Sequence, residues 1–310
     1  MTVPLSAKSW LSGLPSDVLD QFLGRSADLF EDAMEQADVL LETAEELLEQ
    51  PEVRALAVGS LVVVLMAVVA LLFFVRNRAL RWAPIGVGLE SITLLVLGCL
   101  AMAFIEVQFR PSYLVKCICK ITLFVACIFL YQLTNPGVSM LGMFRVKKPR
   151  QLLGALGGGL LVYAFILMSY LLFRDYVDLR VISASLTGDS SINRDNFLIV
   201  ALYVSFFNSL LEEIFFRGFA FLSLREQVPE RYAHAVSALA FSLYHFAIMA
   251  NWFSLWIFLL LLVSLFVAGL LFNWVDSKSG NIYNSWLIHM FANFSINTIG
   301  LLMFGLVPMG

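Results

Sequence analysis

Long apolar blocks dominate the chain from residue 55 onward. Each block is close to the roughly 20 residues that a helix needs to cross about 30 Å of hydrocarbon. A lipid-exposed segment of this kind is expected to be helical, because the bilayer core offers no water to hydrogen-bond its backbone. The sequence therefore predicts an all-α, polytopic membrane protein. We expect eight transmembrane helices, at about 55–75, 84–107, 112–133, 151–173, 196–220, 233–250, 253–275 and 282–305.

The first 54 residues differ sharply from this membrane domain, which we place at 55–310. They contain 12 acidic and 3 basic residues, and their apolar residues recur at helical spacing. We expect an acidic amphipathic helical segment outside the bilayer. Residues 14–50 are predicted to pack on their own chain or on a second copy, with binding of another partner as the alternative. The acidic character argues against nucleic acid binding, which needs a basic surface.

Basic residues in the short loops predict how the chain is oriented. The loops after the first, third, fifth and seventh blocks contain arginine or lysine. The positive-inside rule makes their side of the membrane cytoplasmic. The loop at 174–195 and both termini are then expected on the opposite side. We interpret the chain as an integral multi-pass protein of the cell membrane.

Three charged residues interrupt the fifth block, in the stretch LLEEIFFRGF at 210–219. An ionisable group inside the bilayer costs about 2.5–3.5 kcal/mol on insertion scales, so each needs a partner or a function. Glu213 and Arg217 are four residues apart and are expected to pair. Glu212 is rotated by about 100° from Glu213, toward the face of the polar side chains in 205–209. We expect this second glutamate to be left free for chemistry.

Two histidines also lie inside apolar blocks. His245 is in the sixth block, and His289 is in the last, on a face where polar residues recur every fourth position, namely Ser285, Asn293 and Asn297. One intramembrane histidine could simply be a hydrogen-bonded packing residue. Two of them, with a glutamate and an asparagine from three different helices, favour a catalytic site.

Hydrolysis of a peptide bond by activated water fits this set of residues. A glutamate in a site of low dielectric constant can act as a general base, and a histidine can hold the same water. A second histidine and an asparagine amide can donate to the oxyanion that develops on the attacked carbonyl. A glutamate and two histidines are also a known catalytic zinc ligand set. A zinc site therefore remains the alternative at this point.

Three motifs resemble those of a known family. EEIFFRG at 212–218 matches an EExxxR motif, FSLYH at 241–245 an FxxxH motif, and HMFAN at 289–293 an HxxxN motif. In this order, on three predicted helices, they resemble the CPBP family. That family contains the CAAX prenyl endopeptidases and bacterial membrane proteins related to bacteriocin processing and immunity. The resemblance covers about 200–295, within a protease core that we place at 196–305.

The resemblance implies an intramembrane endopeptidase that acts on a membrane-associated protein or a lipidated peptide. By motif position, Glu212 would activate the water and His245 would help to position it. His289 and Asn293 would form the oxyanion site. The supporting residues would be Glu213, Arg217 and Phe241.

We favour a mechanism without a metal or other cofactor. Zinc held by Glu212, His245 and His289 is the alternative. Each zinc-bound histidine needs an orienting partner. We expect few such partners around His245, where Phe241 shares its face and Ser242 is the nearby hydroxyl.

Two readings compete with the protease. One is a non-proteolytic scaffold or bacteriocin-immunity-type protein of the same fold. The other is a transporter that uses Glu90, Lys116 and Lys120 together with Glu212. For the first three of these residues the default expectation is structural pairing across helices.

Overall fold

The computed structural model describes residues 85–109, 112–138, 140–147, 149–249 and 252–307. None of these residues forms a strand, so the all-α prediction is confirmed for the described part of the chain. The predicted acidic segment at 1–54 and the first predicted span at 55–75 lie outside the described residues.

Nine helices organise the described residues. We label them α1 (Ile85–Phe104), α2 (Tyr113–Thr134), α3 (Arg150–Phe173), α4 (Leu179–Ser190), α5 (Phe197–Glu226), α6 (Glu230–Tyr244), α7 (Phe246–Met249), α8 (Leu255–Ser279) and α9 (Tyr283–Met303). A π-helical turn, Ile105–Phe109, extends α1, and a short 3-10 helix, Met140–Phe144, lies between α2 and α3.

Seven helical segments in the described residues are long and apolar enough to cross a membrane. Six of them correspond to α1, α2, α3, α5, α8 and α9, and the seventh is formed by α6 and α7 together. They coincide with the second to eighth predicted blocks. The seven segments fit an integral multi-pass membrane protein.

The predicted loop at 174–195 is partly helical. It contains a 3-10 turn, Arg174–Tyr176, and then α4. The Asp178 side chain accepts a hydrogen bond from the backbone N–H of Arg180, a standard way to satisfy a free donor at a helix start. The aspartate and arginine that looked like loop residues therefore mark the beginning of a helix.

Helix α5 is not a regular α-helix. It is π-helical at Val204–Asn208, α-helical at Ser209–Glu212 and π-helical again at Glu213–Ser223. Most π-helical segments are single turns inside α-helices, and they occur often at functional sites. At the boundary between the two kinds of helix, the backbone of Glu212 (φ −65°, ψ −42°) and Glu213 (φ −64°, ψ −39°) keeps α-helical dihedral angles.

Phenylalanine rings surround the middle of α5 and make it the centre of the core. Phe215, Phe216 and Phe219 are fully buried. The Phe215 ring stacks on Phe124 of α2, with ring centroids 3.8 Å apart, and Phe216 meets Phe241 of α6 edge to face at 5.4 Å. This packing fixes the helix that holds both glutamates.

Helix α9 is held on two sides. Gly158 of α3 lies against Ile288, and Gly159 lies so close to the Phe291 ring that an added Cβ would come within 2.5 Å of it, so these small residues permit close helix packing. On its other side, the Asn297 amide donates to the Ala201 carbonyl of α5 at 3.0 Å. The polar face of α9 therefore points to α5, as its four-residue spacing predicts.

The turn between α8 and α9 is also fixed. Gly280 has a φ of 70°, the left-handed conformation that commonly ends a helix, and its N–H donates to the Asp276 carbonyl at 2.8 Å. The buried Asp276 carboxylate accepts from the Ser285 hydroxyl at 2.7 Å and from the Ser285 backbone N–H at 3.3 Å. These bonds fix where α9 begins. They therefore also fix how far along the bundle His289 lies.

Candidate active site

The three motif regions meet inside the bundle. Glu212 and Glu213 come from α5 and His289 from α9, and all three are at most 6% exposed. His289 lies between the two glutamates. Its Nδ1 is 2.8 Å from Glu213 Oε1, and its Nε2 is 3.7 Å from Glu212 Oε2. The sequence placed these glutamates on different faces, but both carboxylates contact the same imidazole.

Glu213 and Arg217 pair as predicted. The Arg217 Nε lies 3.3 Å from Glu213 Oε2, and both side chains are fully buried. The guanidinium carbon is 4.0 Å from the ring centroid of Phe241 and 4.9 Å from that of Phe272. Cation–π attraction of this kind is worth about 2 kcal/mol or more when desolvated. Phe241 thus supports the site through its ring.

Glu212 is not free, contrary to the expectation from the sequence. Its Oε1 accepts from the ammonium of Lys120 on α2 and, at 3.1 Å, from the Asn208 amide. Lys120 Nζ also donates to Asn208 Oδ1 at 2.6 Å. The prediction failed because the cation comes from a helix 92 residues away in sequence, beyond the reach of a helical-spacing argument.

His245 lies at the end of the second motif, where α6 stops at Tyr244 and the short α7 follows. Its Nδ1 donates to the Phe241 carbonyl at 2.8 Å. The sequence predicted few orienting partners around His245, and the structure provides one, the backbone carbonyl one turn earlier. Its Nε2 makes no hydrogen bond with the described residues, and the ring is close enough to Glu212 for electrostatic interaction.

Asn293 faces α5 one turn above His289. Its amide nitrogen donates to the Val204 carbonyl at 3.2 Å, in the first π-helical segment. An asparagine amide has two N–H groups, so this bond leaves one for another acceptor. The described hydrogen bonds of Asn293 do not reach Glu212 or His289. Its assignment to the oxyanion site remains a prediction.

The lysine pairing expected from the sequence is partly corrected. Lys116 pairs with Glu106 at 2.7 Å and donates to the Ser190 hydroxyl at 3.0 Å. The Glu90 carboxylate accepts from Thr134 and Asn135 at the end of α2. In the described residues the two lysines therefore pair with Glu106 and Glu212.

A metal site is the remaining alternative from the sequence. Within the described residues, no three histidine, cysteine, aspartate or glutamate side chains form a group that could hold a metal ion. The zinc set would be Glu212, His245 and His289, and Lys120 already contacts one oxygen of that glutamate. The choice between glutamate and metal is left to the chelation experiment below.

Lys120, Asn208 and Asp276 belong to the candidate site and its support, but the protease interpretation of the sequence gave none of them a role in it. The sequence could have indicated Lys120, because a lysine inside an apolar block needs a partner. Asn208 was visible four residues before Glu212 on the polar stripe. The burial of Asp276 could not be predicted, because this aspartate lies only two residues before the basic loop residue Lys278 and has the sequence context of an exposed residue.

Comparison with known proteins supports the resemblance drawn from the motifs. No curated protein and no solved structure was found to match the chain. One family model does match, over residues that contain all three motifs and every glutamate and histidine of the site. Residues 194–295, about a third of the chain, match the model described as type II CAAX prenyl endopeptidase Rce1-like, and this match confirms the resemblance to the CPBP family drawn from the motifs.

Proposed function

We propose that this protein is an intramembrane endopeptidase that hydrolyses a peptide bond of a membrane-associated protein by glutamate-activated water. The single observation that carries the proposal is the placement of His289 between two buried glutamates, with His245 nearby, in the region that matches the protease family. Buried ionisable groups are costly in a membrane and are retained where they have a function.

The proposed hydrolysis uses the polar atoms of the site that have no hydrogen-bond partner within the described residues. Glu212 Oε2 accepts a proton from a water, and the oxygen of that water attacks the peptide carbonyl. The oxyanion then formed accepts from His289 Nε2–H and from the second N–H of Asn293. Since His289 Nδ1 already donates to Glu213, donation from Nε2 as well requires protons on both ring nitrogens. The C–N bond breaks as Glu212 returns the proton to the leaving amine.

A mechanism of this kind gives each neighbour of Glu212 a separate task. His245 has its Nδ1 fixed by the Phe241 carbonyl, so its Nε2 is the atom left to hold the water. Glu213 orients His289, and Arg217 balances the charge of Glu213. The proposed substrate class is a membrane-associated protein or a lipidated peptide, because the site lies within the apolar helices.

The substrate can be found by comparing protein termini in the membranes of cells that carry the wild-type protein or Glu212→Gln. We expect a new terminus in at least one membrane-associated protein, present with the wild type and lost with the variant at equal protein level. Identical sets of termini would contradict the proposal. A quenched fluorogenic peptide that spans the identified bond then serves as the probe for the measurements below.

The role of metal is tested on purified protein. We expect cleavage of the probe to continue after exhaustive chelation, with less than one zinc per protein by elemental analysis. Loss of activity on chelation, with recovery only on addition of zinc, would recast Glu212 as a ligand and overturn the glutamate mechanism.

A further inference from the structure

The ammonium group of Lys120 occupies a site built for a cation. Besides its bonds to Glu212 and Asn208, it lies 4.9 Å from the ring centroid of Tyr244 and 5.7 Å from that of Phe124. Its side chain is only 8% exposed. Two oxygen acceptors and two aromatic faces hold the ammonium, although a long lysine stem is otherwise free to move.

This site makes the two oxygens of Glu212 unequal. Oε1 accepts from both Lys120 and Asn208. Oε2 accepts no hydrogen bond from the described residues and faces His289 Nε2 at 3.7 Å. One oxygen is therefore committed to holding the carboxylate, and the other is open toward the histidine.

The choice of lysine suits this asymmetry. An arginine fork binds a carboxylate through two parallel hydrogen bonds and would engage both oxygens. An ammonium is a compact point charge that can pair with one oxygen. A nearby positive charge also favours the ionised carboxylate, and a general base must be ionised before it can accept a proton.

We propose that Lys120, assisted by Asn208, is the positioning residue of the catalytic centre: it keeps Glu212 ionised in the membrane and directs Oε2 to the attacking water. The proposal deepens the proposed function and rests on it. Lys120 itself does not touch the reacting atoms. It acts through the carboxylate that does.

Lys116 provides a matched control. It lies one turn earlier on the same helix and is also buried and ion-paired, but its partners are Glu106 and Ser190. Replacing either lysine removes one charge from α2 and one ion pair, which is buried for Lys120 and partly buried for Lys116. Only the Lys120 pair includes Glu212.

The test compares Lys120→Met, Lys120→Arg and Lys116→Met by cleavage of the fluorogenic probe across a pH series. Charged or titratable groups lie near Glu212 on every helix packed around it: Lys120 on α2, Tyr203 and Arg217 on α5, Tyr244 and His245 at the end of α6, and His289 on α9. Only the first changes in these variants. We expect Lys120→Met to lower kcat at neutral pH at least about tenfold with a small change in KM. The acidic limb of its pH–rate profile should move up by about one unit or more.

The remaining variants sharpen the test. Lys120→Arg keeps the charge and should keep the wild-type acidic limb, with a lower kcat because the fork crowds Oε2. Lys116→Met should keep the wild-type profile. If Lys120→Met does not fold, Asn208→Ala replaces it: it loosens the hold on Oε1 and should lower kcat about threefold to tenfold.

Two results would overturn the inference, and they are separable from failure of the proposed function. If Glu212→Gln is inactive but Lys120→Met keeps the wild-type kcat and acidic limb, Lys120 is not a positioning residue. If Lys120→Met and Lys116→Met lose activity equally and without a pH shift, the effect is structural. If Glu212→Gln itself still cleaves the probe, the proposed function fails instead.

Discussion

Glu212 and Glu213 are neighbours in the chain, but they lie in two different environments. Glu213 faces Arg217, whose guanidinium is fixed between two aromatic rings, and it holds His289 Nδ1 at 2.8 Å. Glu212 faces a lysine and an amide through one oxygen and keeps the other oxygen open. The first environment is rigid, and the second leaves an atom available.

The cation that pairs with each glutamate explains why replacing Glu212 and replacing Glu213 should have different effects on folding. A guanidinium stays protonated in proteins, whereas a buried ammonium can lose its proton. Removing Glu213 would therefore leave a permanent buried charge on Arg217. Removing Glu212 would leave Lys120, which can become neutral and still bond to Asn208. We infer that the Glu213 side supports the structure and the Glu212 side performs the chemistry.

Among changes around Glu213, we expect Arg217→Ala to reduce the stability of the fold most. It leaves Glu213 without its buried cation, and breaking a buried pair costs about 3–5 kcal/mol. We expect a marked loss of folded protein, measured by thermal melting in detergent. Arg225→Ala is the control on the same helix: Arg225 donates to the Ser277 backbone carbonyl at 3.4 Å and lies 5.7 Å from the Phe221 ring centroid, but it forms no ion pair within the described residues. Equal melting temperatures for the two variants would contradict the account.

His289→Ala should affect both sides, since this imidazole touches both carboxylates. Removing one oxyanion donor typically lowers kcat by about 10²–10³-fold. We expect a loss of that size in cleavage of the fluorogenic probe, with folded protein remaining. A variant that loses folding but, once corrected for the folded fraction, keeps the wild-type kcat would assign His289 to structure alone.

Asn293→Ala should have a smaller effect, confined to the chemical side. It removes the proposed neutral oxyanion donor and one bond to the Val204 carbonyl, and we expect kcat to fall about tenfold to 10²-fold. Asn297→Ala, one turn later on the same face, removes bonds to Ala201 and Ser205 only. If both variants reduce kcat equally, Asn293 has no special role.

Sequence reasoning predicted the parts of the molecule that local rules govern. Apolar length gave seven of the candidate spans, and i,i+4 spacing gave the Glu213–Arg217 pair and the polar face of α9. It could not give the partner of Lys120, because tertiary packing selects that contact. It also could not give the π-helical turns of α5 or the position of His289 between the two glutamates, because tertiary packing determines how α9 meets α5.

The division between the two glutamates is tested most directly by Glu212→Gln and Glu213→Gln, purified in parallel and measured for melting and for cleavage of the same probe. We expect Glu212→Gln to remain folded and to lose more than about 10³-fold in kcat, because the proposed base is removed. We expect Glu213→Gln to melt at a lower temperature than Glu212→Gln, because Arg217 cannot discard its charge. Cleavage by Glu212→Gln within tenfold of the wild-type rate would contradict the central claim.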